Sequence, residues 1–208
     1  MPILFAWDFH GTLEQDNEFA VIEASNQSLI EHGYDVQVTQ QDLQELYGRP
    51  WGDYFRKLVP RISDAKVEEL VARSRQLGLP AAGRHCKPRV HAHSTLKKIM
   101  DEGHTNIIVS NATQRDLEFF MKITGVTPYI HTAYGVNGNK HKTIINHPGT
   151  YSRIIMIGDT ENDIKAGKRA NATTYLVQNG EPRPTEADYV ITDLRDVLKE
   201  LTNCDHKQ

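Results

Sequence analysis

The sequence predicts an α/β fold in which a doubly wound parallel sheet, with helices on both faces, is interrupted by a small inserted α-helical domain. An apolar run at residues 3–7 opens the chain, and short apolar runs alternate with helical periodicity after about residue 88. Between these regions, residues 14–86 carry successive helical patterns without an apolar run of the strand type. These observations favour one sheet domain with a helical insertion.

The first strand is predicted over Ile3–Trp7, where five consecutive apolar residues suit a strand buried on both faces of a parallel sheet. Asp8 follows at its carboxyl end, the edge at which open α/β sheets bind their ligands. Gly11 allows a sharp turn, and the Thr12 hydroxyl is predicted to face the same edge. This arrangement is typical of a nucleophile on a turn.

Four helices are predicted in the inserted region. A capping pair, Thr39 and Asp42, opens the second of them. The predicted helix ends are marked by glycine or proline, at Gly33, Gly48, Pro60 and Gly78. Residues 79–88 have the composition of a linker back to the sheet. We therefore expect a core domain at residues 1–13 and 87–208 and a helical cap domain at residues 14–86.

The remaining elements follow from the alternating pattern. Strands are predicted at residues 107–109, 132–136, 154–157, 173–177 and 189–191. Helices are predicted at residues 96–103, 113–125 and 194–201. A short helix is predicted near residues 142–145, and another helix follows the Gly158–Asp163 segment and ends at residue 170. Because strands and helices alternate, the strands are expected to run parallel.

Candidate functional residues lie at or just after the carboxyl ends of separate predicted strands. They are Asp8, Ser110 with Asn111, the two lysines Lys140 and Lys142, and the pair Asp159 and Asp163. In an open parallel sheet these ends meet at one crevice, so we expect these side chains to lie together. Carboxylates gathered in this way suit Mg²⁺, which prefers oxygen ligands.

The segment Asp8-Phe-His10-Gly11-Thr12 resembles the first motif, Asp-x-Asp-Gly-Thr, of the haloacid dehalogenase superfamily of phosphatases and phosphotransferases. The segment from Gly158 to Asp163, with Ser110 and a lysine between the two motifs, agrees with that resemblance. One large branch of the family inserts a helical cap directly after the first motif. The departure is His10, which stands where most phosphatases of the family carry a second aspartate.

The resemblance implies Mg²⁺-dependent hydrolysis of a small phosphorylated metabolite through a phosphorylated intermediate on Asp8. The metal would be held by Asp8, Asp159 and the main-chain oxygen of His10, and Asp163 would orient Asp159 or a metal-bound water. Thr12, Ser110 and Asn111 would hold phosphate oxygens. A lysine would offset transition-state charge. Lys140 and Lys142 both have spacings seen in relatives, and we favour Lys142 slightly.

His10 is interpreted as the general acid and base, because relatives use the residue at this place for that role and imidazole titrates near neutrality. The alternatives are a phosphotransferase or mutase, a phosphonate-cleaving enzyme, or a catalytically weak protein that binds a phosphoester. Arg49 is a candidate substrate contact, since cap loops face the crevice in relatives. A surface arginine at a helix end explains the same residue equally well.

Composition and net charge limit the classes of binding partner and the cellular location that the sequence predicts. The net charge is −3, which gives no reason to expect nucleic acid or an anionic membrane surface as partner. The two cysteines do not form a disulfide framework, and the sequence lacks an apolar run long enough for a membrane span, so a cytoplasmic location is expected. The oligomeric state is left open between monomer and homodimer.

Overall fold

The computed structural model describes residues 1–46, 49–136 and 138–202. It divides into two compact units, here called the core unit (Met1–Gln15 with Lys87–Gln208) and the helical unit (Asp16–Cys86). The first division therefore falls after Gln15 and not after residue 13. The reason is that residues 14–15 pair in antiparallel fashion with residues 87–88, so both of these short segments belong to the core unit.

Eight strands lie in the described residues. They are β1 (Ile3–Trp7), β2 (Glu14–Gln15), β3 (Lys87–Pro88), β4 (Thr105–Ser110), β5 (Thr132–Gly135), β6 (Arg153–Gly158), β7 (Thr173–Val177) and β8 (Tyr189–Ile191). Six of them form one sheet in the order β5-β4-β1-β6-β7-β8, and every neighbouring pair in it is parallel. The predicted doubly wound α/β class is confirmed.

Nine α-helices complete the described structure. They are α1 (Asn17–Glu31), α2 (Gln40–Glu45), α3 (Trp51–Leu58), α4 (Asp64–His85), α5 (Ala92–Asp101), α6 (Gln114–Thr124), α7 (Lys140–Ile145), α8 (Glu161–Arg169) and α9 (Lys199–Thr202). Short 3₁₀ helices occur at Thr127–Tyr129 and Leu194–Leu198. The predicted single helix at 194–201 is therefore wrong, because its first half is a 3₁₀ helix. Among the described residues, no helix combines the length and apolar composition needed to cross a bilayer.

Strand β1 is the centre of the sheet. All five of its residues are buried, and Trp7 lies opposite Ile108 of β4 on one side and Ile157 of β6 on the other. The chain continues from β4 outward to β5 and from β6 outward to β8, so the strand order reverses beside β1. Open α/β sheets bind ligands outside the carboxyl ends of the strands at such a reversal. Asp8 follows β1 at that place.

The helical unit packs around its own apolar cluster, which includes Leu29, Phe55 and Leu70. The predicted cap of α2 is confirmed, because the Thr39 hydroxyl accepts from the Asp42 amide while the Asp42 carboxylate accepts from Thr39. The predicted helix end at Gly48 lies outside the described residues.

The predicted helix end at Gly78 and the predicted linker at residues 79–88 are wrong. Helix α4 continues through Gly78 and Pro80 to His85, and Ala81 and Ala82 are buried within the unit. Gly78 lies beside the Trp51 ring, and a Cβ at that position would make an ordinary van der Waals contact with the indole at 3.4 Å. The apolar contacts of this last stretch outweigh the single backbone hydrogen bond that a proline cannot donate.

Candidate active site

Asp8 is fixed at the carboxyl end of β1 by the main chain of the neighbouring strand. Its amide donates to the Ile157 carbonyl at 2.7 Å, which continues the ladder between β1 and β6 one residue beyond the strand. The residue is buried, at 7% exposure, although it carries a carboxylate. A buried carboxylate is costly unless a cation or hydrogen-bond donors face it, so its surroundings decide its role.

The turn after Asp8 winds around one carbonyl. The amides of Thr12, Leu13 and Glu14 all donate to the Phe9 carbonyl, at 3.2, 2.9 and 3.1 Å. Gly11 has a φ of +72°, a left-handed conformation that glycine adopts without steric cost. As a result Thr12 and Glu14 are drawn back toward the end of β1, and both are fully buried.

Lys140 supplies the positive charge at the site. Its side chain is buried, and its Nζ donates to Oδ1 of Asp8 and, at 2.6 Å, to Oδ1 of Asp163. Lys142, which the sequence favoured slightly, is exposed on the same helix. That preference is corrected here, and the reason is helical geometry: side chains two residues apart on a helix point in different directions, so α7 can bring only one lysine to Asp8.

Asp159 lies in the turn between β6 and α8, and Asp163 lies in the first turn of α8. The Thr160 hydroxyl accepts from the Asp163 amide at 3.4 Å, while the Asp163 carboxylate accepts from the Thr160 amide at 3.1 Å and its hydroxyl at 2.6 Å. This capping box holds Asp163 against Gly158, where an added Cβ would lie 2.3 Å from the Asp163 Cβ. Glycine at position 158 is therefore required for this approach.

The three aspartates fit a divalent metal ion. One carboxylate oxygen from each of Asp8, Asp159 and Asp163 lies within 4.8 Å of the others, and all three residues are buried. Hard oxygen donors of this kind suit Mg²⁺. Asp159 also accepts from the Thr12 hydroxyl at 3.5 Å, which links the metal candidates to the turn after β1.

Mutual interaction shifts the titration of these groups. Burial raises the pKa of Asp8 and the nearby charge of Asp163 raises it further, while Lys140 lowers it, and the net direction is upward. Burial lowers the pKa of Lys140, but the charges of Asp8 and Asp163 outweigh that effect and keep its pKa above the usual value. Lys140 is therefore a fixed cation, and it stabilises carboxylates that would otherwise repel each other.

His10 points its ring toward a second buried carboxylate. Its Nδ1 lies 2.9 Å from Oε2 of Glu14, and the ring contacts Phe120 edge-on with centroids 4.4 Å apart. Burial lowers the pKa of His10, but the hydrogen bond and charge of Glu14, together with the charges of Asp8 and Asp159, raise it overall. The sequence placed His10 at the site but gave Glu14 no role.

Arg89 and Asn179 form a second network that the sequence analysis missed. Arg89 donates from Nε to the Thr12 carbonyl at 2.8 Å and from Nη2 to the Gly11 carbonyl and Asn179 Oδ1, each at 2.7 Å. Asn179 donates to the same Gly11 carbonyl at 2.8 Å and to Asp159 Oδ2 at 3.3 Å. This network connects the turn after β1 with a metal candidate from another strand.

Ser110 and Asn111 end β4 at the same edge of the sheet as Asp8. Ser110 is buried, and its hydroxyl accepts from the Ala112 amide at 3.2 Å. Asn111 is exposed, and its side-chain oxygen accepts from the Gly138 amide at 3.0 Å. Both residues are thus engaged in shaping the loop, and their proposed contact with phosphate remains a prediction.

Arg49 belongs to the helical unit, where it is exposed and lies 3.9 Å from Asp53. Its predicted role as a substrate contact stays a prediction. A salt bridge at that distance and exposure contributes little to stability, so it leaves the guanidinium able to bind another anion.

A family model described as haloacid dehalogenase-like hydrolase matches residues 3–177. The chain is 22% identical to pyrophosphatase PpaX of Oceanobacillus iheyensis and 24% identical to phosphoglycolate phosphatase of Vibrio parahaemolyticus, and each alignment covers 94% of both chains. The crystal structure of a predicted phosphoglycolate phosphatase from Haemophilus somnus superposes with a TM-score of 0.81 at 15% identity, covering 95% of this chain and 96% of that one. At this identity the superposition supports the fold alone.

Proposed function

The chain belongs to the haloacid dehalogenase-like hydrolases as a phosphatase-like member, and from this premise we propose that it is a Mg²⁺-dependent phosphatase acting through an aspartyl phosphate on Asp8. The observation that supports this most strongly is the meeting of three buried aspartates with one buried lysine at the strand-order reversal. Like charges at such a place raise the energy of the folded chain, so their retention favours a functional role.

In the first step an oxygen of Asp8 attacks phosphorus, and the bond from phosphorus to the ester oxygen breaks. The leaving oxygen takes a proton from His10. In the second step His10 removes a proton from water as the water oxygen attacks phosphorus, and the bond to Asp8 breaks to release inorganic phosphate. The enzyme returns to its starting protonation state.

A Mg²⁺ ion bound by Asp8, Asp159 and Asp163 would offset the repulsion between the phosphate dianion and the nucleophilic carboxylate. Lys140 holds Asp8 through Oδ1 and so leaves Oδ2 for attack. Its ammonium also offsets the negative charge that collects in the transition state. Thr12 and Ser110, both buried beside the end of β1, are proposed to contact phosphate oxygens.

The substrate is proposed to be a small phosphorylated metabolite. The relatives are named as a pyrophosphatase and a phosphoglycolate phosphatase, and the substrates in both names are small, strongly anionic compounds. A compact, highly charged substrate suits a site whose polar groups converge on a single phosphate. We extend these names to the chain only as a starting point for assays.

The test is phosphate release from pyrophosphate, phosphoglycolate, phenyl phosphate and sugar phosphates, with and without Mg²⁺. The Asp8→Asn variant is the control, since it keeps the side-chain shape and removes the nucleophilic charge. We expect release only from the unmodified protein with Mg²⁺. Turnover by Asp8→Asn at the same rate would exclude a covalent intermediate on Asp8.

A further inference from the structure

Glu14 is the most completely buried carboxylate near the proposed site, with 0% exposure of its side chain. Its backbone is fixed twice, by the amide bond to the Phe9 carbonyl and by the pairing of β2 with β3. A carboxylate is not retained in such surroundings unless polar groups compensate it. One of the compensating groups is the imidazole of His10, four residues earlier.

The contact distinguishes the two ring nitrogens. A carboxylate without a proton can only accept a hydrogen bond, and opposite such a carboxylate the Nδ1 that lies 2.9 Å from Glu14 Oε2 is the donor. In the neutral ring Nε2 then has the free lone pair. Among the residues that the structure describes, no hydrogen bond to the Nε2 of His10 is made.

Two aromatic rings restrict the imidazole further. Phe120 and Phe9 meet it edge-on, with interplanar angles of 89° and 88° and centroid distances of 4.4 and 5.2 Å. These contacts oppose rotation about the side-chain bonds of His10. The hydrogen bond at one nitrogen and the two neighbouring rings together favour the observed orientation of the imidazole.

We propose that Glu14 is a positioning residue that holds the His10 imidazole through Nδ1, so that Nε2 is the nitrogen that exchanges the proton with the leaving group and with water. The proposal deepens the proposed function and rests on it for the role of His10. The orientation itself rests only on the contacts of Glu14, Phe9 and Phe120. A carboxylate behind an imidazole is a known way to fix the tautomer of a histidine that transfers protons.

The kinetic test uses Glu14→Gln, whose amide has the same shape but can either accept from Nδ1 or donate to it. We expect kcat/KM for phenyl phosphate to fall by about 10- to 100-fold, part of the about 10²- to 10⁴-fold that general acid–base catalysis contributes. With 4-nitrophenyl phosphate the loss should be smaller, because its leaving group needs less protonation. An equal loss for both substrates would overturn the proposal.

The double variant separates positioning from a purely structural role. If Glu14 acts through His10, adding Glu14→Gln to His10→Ala should produce no further loss of kcat/KM on phenyl phosphate. Losses that multiply would show that Glu14 acts independently and would overturn the proposal. Glu200→Gln is the matched control, since it also neutralises a buried carboxylate of the core unit. It should leave both substrates unaffected.

A readout without turnover keeps this inference separate from the proposed function. Nitrogen-15 NMR of histidine-labelled protein, with the His10 signals identified by their loss in His10→Ala, reports which ring nitrogen is protonated when the ring is neutral. We expect hydrogen on Nδ1 in the unmodified protein and a mixture in Glu14→Gln. Hydrogen on Nε2 in the unmodified protein would overturn the inference even if the enzyme is active. Absence of turnover with the expected NMR result would overturn the proposed function alone. If Glu14→Gln fails to fold, Glu14→Asp replaces it in the kinetic and NMR tests, because the shorter side chain withdraws the carboxylate from His10 by one methylene.

Discussion

Strand β6 and its neighbours carry two different clusters of polar side chains, each built around a buried carboxylate. The closing cluster is defined as Arg153, which begins β6, Tyr175 of β7 and Glu200 of α9, and in it Glu200 accepts from Arg153 at 2.6 Å and from the Tyr175 hydroxyl. At the carboxyl end of β6 lies the site cluster, defined as Asp8, Lys140, Asp159 and Asp163, in which three carboxylates converge and Lys140 contacts two of them.

The difference lies in how the charges are matched. In the closing cluster the buried carboxylate faces a guanidinium and a hydroxyl, and Arg153 also donates to the Glu200 carbonyl at 2.7 Å, which ties α9 to the sheet. The site cluster concentrates like charges that the fold alone does not need. Removing one partner from a matched buried cluster destabilises the fold, whereas a cluster with mismatched charges is typical of a place where a ligand completes it. Substitutions in the two clusters should therefore affect different measurements.

The largest effect is expected for Asp8→Asn. The amide oxygen is a poor nucleophile, so kcat should fall by at least about a thousandfold. Thermal unfolding should show a folded protein, because the shape of the side chain is retained. Initial rates of phosphate release with Mg²⁺ provide the measurement. A variant that keeps a tenth of the activity would contradict the assignment of the nucleophile.

The next effect separates the two lysines. Lys140→Ala should lower kcat by about 100- to 1,000-fold, since a preorganised charge that faces the transition state contributes at this scale. Lys142→Ala is the matched control on the same helix, and because Lys142 is exposed its kcat should stay within about twofold. The reverse ranking in steady-state assays would return the role to Lys142.

Mg²⁺ binding should stabilise the folded protein through the site cluster, and substitutions in the closing cluster should not change that effect. Mg²⁺ at about a hundred times its dissociation constant should stabilise the unmodified protein by about 2.7 kcal/mol. Asp159→Asn should show a much smaller shift in melting temperature, because it removes one charged ligand. Glu200→Gln should keep the full shift, measured by calorimetry against a chelator-treated sample. Equal shifts in all three proteins would mean that Mg²⁺ binds elsewhere.

In the closing cluster the expected effect is on stability. Glu200→Gln replaces the charged acceptor of the Arg153 hydrogen bond with a neutral one, so the free energy of unfolding should fall by about 1–3 kcal/mol. The value of kcat for the best substrate should remain within about twofold of the unmodified enzyme, since Arg153 and Tyr175, which donate to Glu200, do not belong to the site cluster. Urea unfolding and steady-state rates on the same preparation check both statements. A large loss of activity at unchanged stability would break the distinction between the clusters.

The smallest effect is a pH dependence at Tyr175. Burial raises the pKa of its hydroxyl, and the hydrogen bond to Glu200 raises it further. A pKa that is higher in the folded state adds stability below the unfolded value of about 10, and this stability is lost as the pH rises above it. Between pH 9 and 11 the unmodified protein should therefore lose more stability than Tyr175→Phe, by about 1.4 kcal/mol at most. Urea unfolding at both pH values tests this, and parallel losses would contradict it.

Much of the site could be predicted because its residues sit in local patterns. The five apolar residues of β1 and the acidic turn after β6 each specify their own structure, and the sheet then brings Asp8 and Asp159 together. The capping pair Thr160 and Asp163 likewise belongs to a local pattern. For these residues, separation along the chain was no obstacle to the prediction.

Other features of the fold and of the site depend on tertiary contacts, which the spacing of residues in the sequence does not reveal. The direction of α7 decided between Lys140 and Lys142, and the burial of Ala81 and Ala82 in the helical unit accompanies the continuation of α4 past Gly78, where a helix end was expected. Arg89 follows a short strand that apolar periodicity does not reveal, and its partners lie about 78 and 90 positions away. Nothing local distinguishes such an arginine from a solvated one.

By itself, the amino-acid sequence determined the six strands of the main sheet, the strand-end aspartates and the presence of an unusual histidine, because short-range apolar and capping patterns depend on neighbouring residues alone. Only the tertiary structure decided which lysine meets Asp8, that Glu14 stands behind His10, and that Arg89 and Asn179 secure the turn after β1. Those choices depend on the burial of polar groups between distant segments, and the cost of leaving such groups unpaired is set by the assembled fold.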